Sequence, residues 1–142
     1  MLVIGLVGGI GSGKSVASAM LAELGAEVVN ADLVGHEVYE PGKPGFDAIV
    51  AEFGAGVVGE DGRVDRKKLG PIVFADGAKL ERLNAIVHPL IRAEIERRIT
   101  RAREKGAVRA VVVEAAILLE AGWRSLVDQV WVISARREDV VE

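Results

Sequence analysis

Leu2-Val3-Ile4-Gly5-Leu6-Val7-Gly8-Gly9-Ile10-Gly11-Ser12-Gly13-Lys14-Ser15 follows the initial Met1. Its first half is a short apolar run that reads as a buried strand. Its second half fits the phosphate-loop pattern G-x-x-x-x-G-K-[ST], from Gly8 to Ser15, without a mismatch. Beyond it, Val16, Ala17, Ala19, Met20, Leu21 and Leu24 recur at helical spacing. Strand, glycine loop and helix in that order predict a phosphate cradle at the exit of the first strand.

The residue types have physical reasons. Glycines lack a Cβ, so the backbone N–H groups can turn inward around a phosphate. A helix starting near Lys14 adds the positive end of its dipole and its unpaired N–H groups. Lys14 supplies a mobile cation for the β- and γ-phosphates. Gly8, Gly9, Ile10, Gly11, Ser12, Gly13, Lys14, Ser15 and Val16 are the candidate nucleotide contacts, and the Ser15 hydroxyl is a candidate Mg²⁺ ligand.

The rest of the composition limits the alternatives. The 142 residues are half hydrophobic and 27% charged, enough for one domain with a sizeable core. Aromatics are only 4%, so the core must be aliphatic. A net charge of −3 argues against a general nucleic-acid or anionic-membrane surface. Cysteine is absent, which excludes disulfides and thiolate metal sites and is compatible with a reducing, cytoplasmic setting. With two histidines and no cysteine, a zinc site is not expected. No apolar run approaches the ~18–20 residues of a membrane span. With a strand at its very start and no charged leader, the chain is expected to lack a signal peptide.

Further along, Gly25 is a plausible helix C-cap and Glu27-Val28-Val29-Asn30 a second strand. Asp32 falls at the carboxyl end of that strand, where ligands of open α/β sheets bind. A helix is expected from Asp32 to Tyr39, ending before Pro41-Gly42. Residues 44–87 read as helical and irregular. Phe46, Ile49, Val50 and Phe53 form one apolar face, Glu60-Asp61-Gly62-Arg63 a turn, and Asp65 the cap of a helix through Leu69. The excursion is far longer than a plain crossover. An inserted helical lobe is therefore predicted over about residues 41–105.

His88-Pro89 is expected to open a long helix with Ile91, Ile95, Ile99 and Ala102 on one face, ended by Gly106. The apolar run from Val108 to Val113 predicts a central parallel strand with Glu114 at its end. A short helix over Ala115 to Leu119 and Trp123, then a strand over Val130-Trp131-Val132-Ile133, complete the pattern. The chain halts on Glu138-Asp139-Val140-Val141-Glu142, just after a sheet strand. It is expected to be part of a longer protein. The fold class is α/β, with a parallel central sheet between helical layers.

Four side chains are candidates for chemistry beside the loop. Asp32 reads equally as the group that orients an acceptor hydroxyl or as a helix N-cap. Glu114 reads equally as an acid near Mg²⁺, acting through water, or as an ordinary strand-end acid. His36, in the helix after Asp32, is placed to meet an anionic substrate. His88, before proline at a helix start, reads as structural or as a substrate contact.

The combination of Gly8 to Ser15, Asn30-Ala31-Asp32 with Val38-Tyr39-Glu40-Pro41-Gly42, and Leu83-Asn84 with His88-Pro89 resembles dephospho-coenzyme A kinase, over residues 2 to about 137. The resemblance implies a three-layer phosphate-loop kinase fold with an inserted helical substrate lobe, residues 1–142 being one such domain, incomplete at its C-terminus. It implies transfer of phosphate from ATP, with Mg²⁺, to the ribose 3′-hydroxyl of dephospho-coenzyme A. Gly11 to Val16 would hold the ATP phosphates, and Asp32 would take the place of the family's catalytic aspartate beside the acceptor hydroxyl. His88-Pro89 match the family's His-Pro. Asn30 stands where the family usually has an acid, and Val16 where it often has threonine. Glu114-Ala115-Ala116-Ile117-Leu118-Leu119-Glu120 lacks the family's proline. Arg136 and Arg137 fall where an arginine-bearing lid would begin. The alternatives are a kinase acting on a nucleoside or nucleotide, and a nucleotide-binding module without catalysis.

Overall fold

The structure, a computed structural model, describes residues 1–8 and 13–133. Four strands form one sheet: β1 (Leu2–Val7), β2 (Glu27–Asn30), β3 (Ala110–Glu114) and β4 (Gln129–Val132). The spatial order is β2-β3-β1-β4, and every pairing is parallel. The continuous apolar runs of β1 and β3 account for their central positions, since strands buried on both faces carry no polar alternation. Val3, Leu6, Val111, Val112 and Val113 are fully buried. Gly5 is required in β1 because a Cβ there would lie 2.7 Å from Leu118 Cδ1.

The helices are α1 (Lys14–Glu23), α2 (Ala31–Glu37), α3 (Pro44–Phe53), α4 (Arg66–Phe74) and α5 (Gly77–Lys105). Gly25 follows α1 with φ 100°, and the Ala26 N–H returns to the Leu21 carbonyl at 3.0 Å. This is the left-handed C-terminal turn that favours glycine. Gly106 ends α5 in the same way, with φ 63°.

The chain divides into two compact units, one of residues 1–32 and 94–142, the other of residues 33–93. In the first, Ile95, Ile99 and Ala102 of α5, Leu118 and Trp123 are buried, as are Val3 and Leu6 of β1. In the second, Ile49, Val57, Val64, Leu69 and Val73 form the core, covered by Phe46, Phe53, Leu80, Leu83 and Ile86. A small antiparallel bridge between Val58 and Val64 is closed by the turn read at Glu60 to Arg63, with Gly59 N–H donating to the Arg63 carbonyl at 2.8 Å.

Three local expectations are corrected. His88-Pro89 does not open a helix; it lies inside α5, which runs unbroken for 29 residues. Proline removes one backbone donor but does not forbid helix when the apolar positions on both sides keep one register. The helix capped by Asp65 continues past Leu69 and through Pro71 to Phe74. Residues 115–119 are not helical: 116–122 form turns, and the regular segment is a short 3₁₀ helix, Trp123–Leu126. Gly122, at φ 74°, ends the turn before it. The apolar positions of α1 also behave unexpectedly: Val16, Met20 and Leu24 are exposed, and Ser18 is the buried residue.

Candidate functional site

Register brings the chemistry to one edge of the sheet. Leu6 of β1 is level with Glu114 of β3, and Glu114 is level with Asn30 of β2. The carboxyl ends of three strands therefore lie side by side, with Glu114 in the middle. The exit of β1 leads into the phosphate loop, the exit of β2 into Asp32. This is the edge at which ligands meet parallel α/β sheets.

Of the loop, Gly8, Gly13, Lys14, Ser15 and Val16 are described, while Gly9, Ile10, Gly11 and Ser12 lie outside the described residues. Gly13 has φ 91°, a conformation costly for any residue with a Cβ. Its carbonyl accepts the Ala17 N–H at 3.0 Å and so starts α1. Lys14 and Ser15 are the first two residues of α1. Among the described residues no side chain caps that helix, and its first turn contains no acid. A helix start with no acid in its own first turn suits an anion.

Glu114 is buried at the end of β3, and its Oε2 accepts a hydrogen bond from Ser18 Oγ at 2.9 Å. Ser18 lies one turn beyond Lys14 on α1 and is itself buried. The bond ties the loop's helix to the acid. Sequence reading missed Ser18, because a serine among alanines carries no signal of a partner 96 residues away.

Asn30 Oδ1 accepts the Asp32 N–H at 2.9 Å, so the cap at the start of α2 is Asn30. Asp32 sits in the first turn of α2, exposed, with its carboxylate not used for capping. The helix dipole favours a negative charge there.

The helical unit holds the other candidates. His36 is exposed in the last turn of α2, with its ring 6.4 Å from that of Tyr39. It lines a cavity of about 190 Å³ together with Arg63 and Arg66. Neither arginine stood out in the sequence, because one follows a turn and the other a helix cap. Burial pushes the Tyr39 hydroxyl above its ordinary pKa, while Arg66 opposes the shift. His88 lies within α5, and burial pushes its imidazole below the ordinary value. It does not line this cavity. Arg136 and Arg137 lie outside the described residues. Among the described residues, no group of three or more His, Cys, Asp and Glu forms a metal cluster, and no helix is long and apolar enough to cross a membrane.

Comparison with known proteins adds the family. The profile of the CoaE family, dephospho-CoA kinase, matches residues 2–142. A dephospho-CoA kinase of Symbiobacterium thermophilum is 52% identical over 133 residues, which cover 94% of this chain and 55% of the relative. That of Moorella thermoacetica is 44% identical, covering 95% and 64%. The crystal structure of TT1252 from Thermus thermophilus superposes with a TM-score of 0.79 at 30% identity, covering 97% of this chain and 68% of that one. The chain thus spans between about half and two thirds of the length of these two curated relatives. With a match over nearly its whole length and a parallel sheet carrying the loop at its edge, the chain belongs to the dephospho-CoA kinase family.

Proposed function

We propose that the protein of which this chain is part transfers the γ-phosphoryl group of ATP to the ribose 3′-hydroxyl of dephospho-coenzyme A. The reaction forms a bond between the acceptor oxygen and the γ-phosphorus, breaks the bond to the β-phosphate oxygen, and releases ADP and the hydroxyl proton. The observation that carries the reading is the shared carboxyl edge, where the loop leaving β1, Glu114 of β3 and the Asn30-Ala31-Asp32 segment after β2 lie level. Family membership supports the same assignment. A cytoplasmic site of action belongs to this reading.

Each residue has a role in it. The backbone of residues 8–16 and the start of α1 hold the ATP phosphates, and the Lys14 ammonium neutralises charge on the β- and γ-phosphates. Asp32 orients the acceptor hydroxyl and receives its proton as the oxygen attacks. His36 and His88 are the substrate contacts proposed on the helical unit. The oxygen donors at the edge suit Mg²⁺: the Ser15 hydroxyl directly, and Glu114, one of whose oxygens is engaged by Ser18, through water. Magnesium there would supply positive charge to the phosphates.

The test is an acceptor assay on the full-length protein. Mg-ATP and dephospho-coenzyme A should yield ADP and coenzyme A, with the new phosphate on the 3′-oxygen by phosphorus NMR. Preference for a nucleoside acceptor, or ATP binding with no transfer to any acceptor, would overturn the assignment.

A further inference from the structure

Among the described residues, the buried polar side chains are Ser18 and Glu114, at 6% and 9% exposure. They come from α1 and β3, and they are bonded to each other, the hydroxyl donating to the carboxylate at 2.9 Å. A serine inside a helix often turns its proton back to the carbonyl four residues earlier, which here is that of Lys14. A hydroxyl has a single proton to give. Ser18 gives it to Glu114 Oε2 instead.

That bond answers only one side of the acid. A carboxylate has a second oxygen and room for several donors. Among the described residues, the Glu114 side chain has no ion pair and no second hydrogen bond. A buried charge with so little compensation is costly. Glu114 also stands level with Leu6, close to where the phosphate loop leaves β1. There it repels the phosphates of a nucleotide unless a cation stands between them. Ser15, whose hydroxyl is the candidate ligand, precedes Ser18 by about one turn of α1 and shares its side of the helix. A hydroxyl and one carboxylate suit a magnesium ion that keeps most of its waters.

We propose that Ser18 is a positioning residue for this metal site: by holding Oε2 it fixes the Glu114 carboxylate so that Oε1 faces the hydration shell of the Mg²⁺ that accompanies the nucleotide. The inference rests on the kinase reading for the nucleotide. A glutamate side chain is long, and an acid free to turn would meet that shell only part of the time. The serine removes this freedom and ties the acid to the helix that begins with Lys14 and Ser15.

The test is the effect of Mg²⁺ on the affinity of the full-length protein for a non-hydrolysable ATP analogue, measured by calorimetry with Mg²⁺ and with a chelator. Ser18→Ala should cut the enhancement by Mg²⁺ about tenfold, the low end for loss of a residue that orients a metal's contact, while metal-free affinity stays within about twofold. Ser18→Thr, which keeps the hydroxyl, should restore most of the enhancement. Glu114→Gln should lose it and bind the metal-free analogue more tightly, because a charge that repels phosphate is gone. A serine needed only for stability would lower Tm, or both affinities together, and leave their ratio alone. An unchanged ratio in Ser18→Ala therefore overturns the proposal, as does a wild-type protein whose affinity ignores Mg²⁺. Should the alanine variant not fold, Ser18→Cys, close in size but a weak donor, takes its place with the same ratio as readout. The two proposals fail separately. A serine-dependent Mg²⁺ effect without phosphorylation of dephospho-coenzyme A sinks only the kinase reading. Phosphorylation by the Ser18→Ala variant at the wild-type Mg²⁺ dependence sinks only the positioning role.

Discussion

Ser18 Oγ donates to Glu114 Oε2 across 2.9 Å, joining two buried polar side chains from α1 and the end of β3. A buried carboxylate is costly unless it is hydrogen-bonded. Ser18→Ala should therefore destabilise the chain by about 1–3 kcal/mol, measured by chemical denaturation. Ser18→Thr, which keeps the hydroxyl, should cost less. A Ser18→Ala variant as stable as the parent would show that the bond contributes nothing.

Asn30 caps α2 through the Asp32 N–H. Asn30→Ala should cost about 1 kcal/mol, while Asn30→Asp should be near neutral because aspartate caps as well. Equal loss from both substitutions would remove the capping role.

Asp32 is exposed and does not cap the helix. In the full-length protein, Asp32→Asn should lower kcat by about 10²–10⁴-fold, the usual contribution of a positioned acid–base group. ATP affinity should change little. Robust turnover by the variant would exclude Asp32 from proton transfer.

Glu94 is hydrogen-bonded by Arg97 Nε at 2.9 Å and by Arg98 Nε at 3.0 Å. The Arg97 hydrogen bonds, with a smaller contribution from Arg98, hold the Glu94 carboxyl at about 2 rather than 4.5. Its folded value lies below the unfolded one, so its contribution is full above about pH 4.5 and is lost as pH falls toward 2. The effect is modest because Arg97 faces solvent. Glu94→Gln should lower Tm more at pH 7 than at pH 3. A gap in Tm that is the same at both values contradicts this.

Gly45, buried in α3, has no room for a side chain. A Cβ there would overlap the Val38 carbonyl oxygen and lie 3.1 Å from Leu90 Cδ1. The obstacle is backbone, which yields less readily than a side chain. Gly45→Ala should cost about 2 kcal/mol or more by thermal or chemical denaturation, although alanine is the better helix former. A neutral or stabilising effect would mean that the α2–α3 connection is free to shift.

Much of this protein was legible before its structure. Gly13 and Lys14 marked the start of α1, where Gly13 takes a left-handed torsion. The apolar runs of β1 and β3 marked buried parallel strands. The helix stops at Gly25 and Gly106 and the cap at Asp65 were local backbone chemistry, readable within a few residues. The corrections came where local signals were weakest: Pro89 marked a boundary by its own preference, yet the register of α5 carries through it.

What the amino-acid order determined by itself was the start of α1, the strand types and the family, since each depends on spacing along the chain. The tertiary structure alone decided that Glu114 stands level with Asn30 and is held by Ser18, and that Arg63, Arg66 and His36 line one cavity. The physical reason is range. A turn or a cap is settled among neighbours, whereas the partner of a buried carboxylate or an arginine is chosen by strand pairing and core packing across many residues.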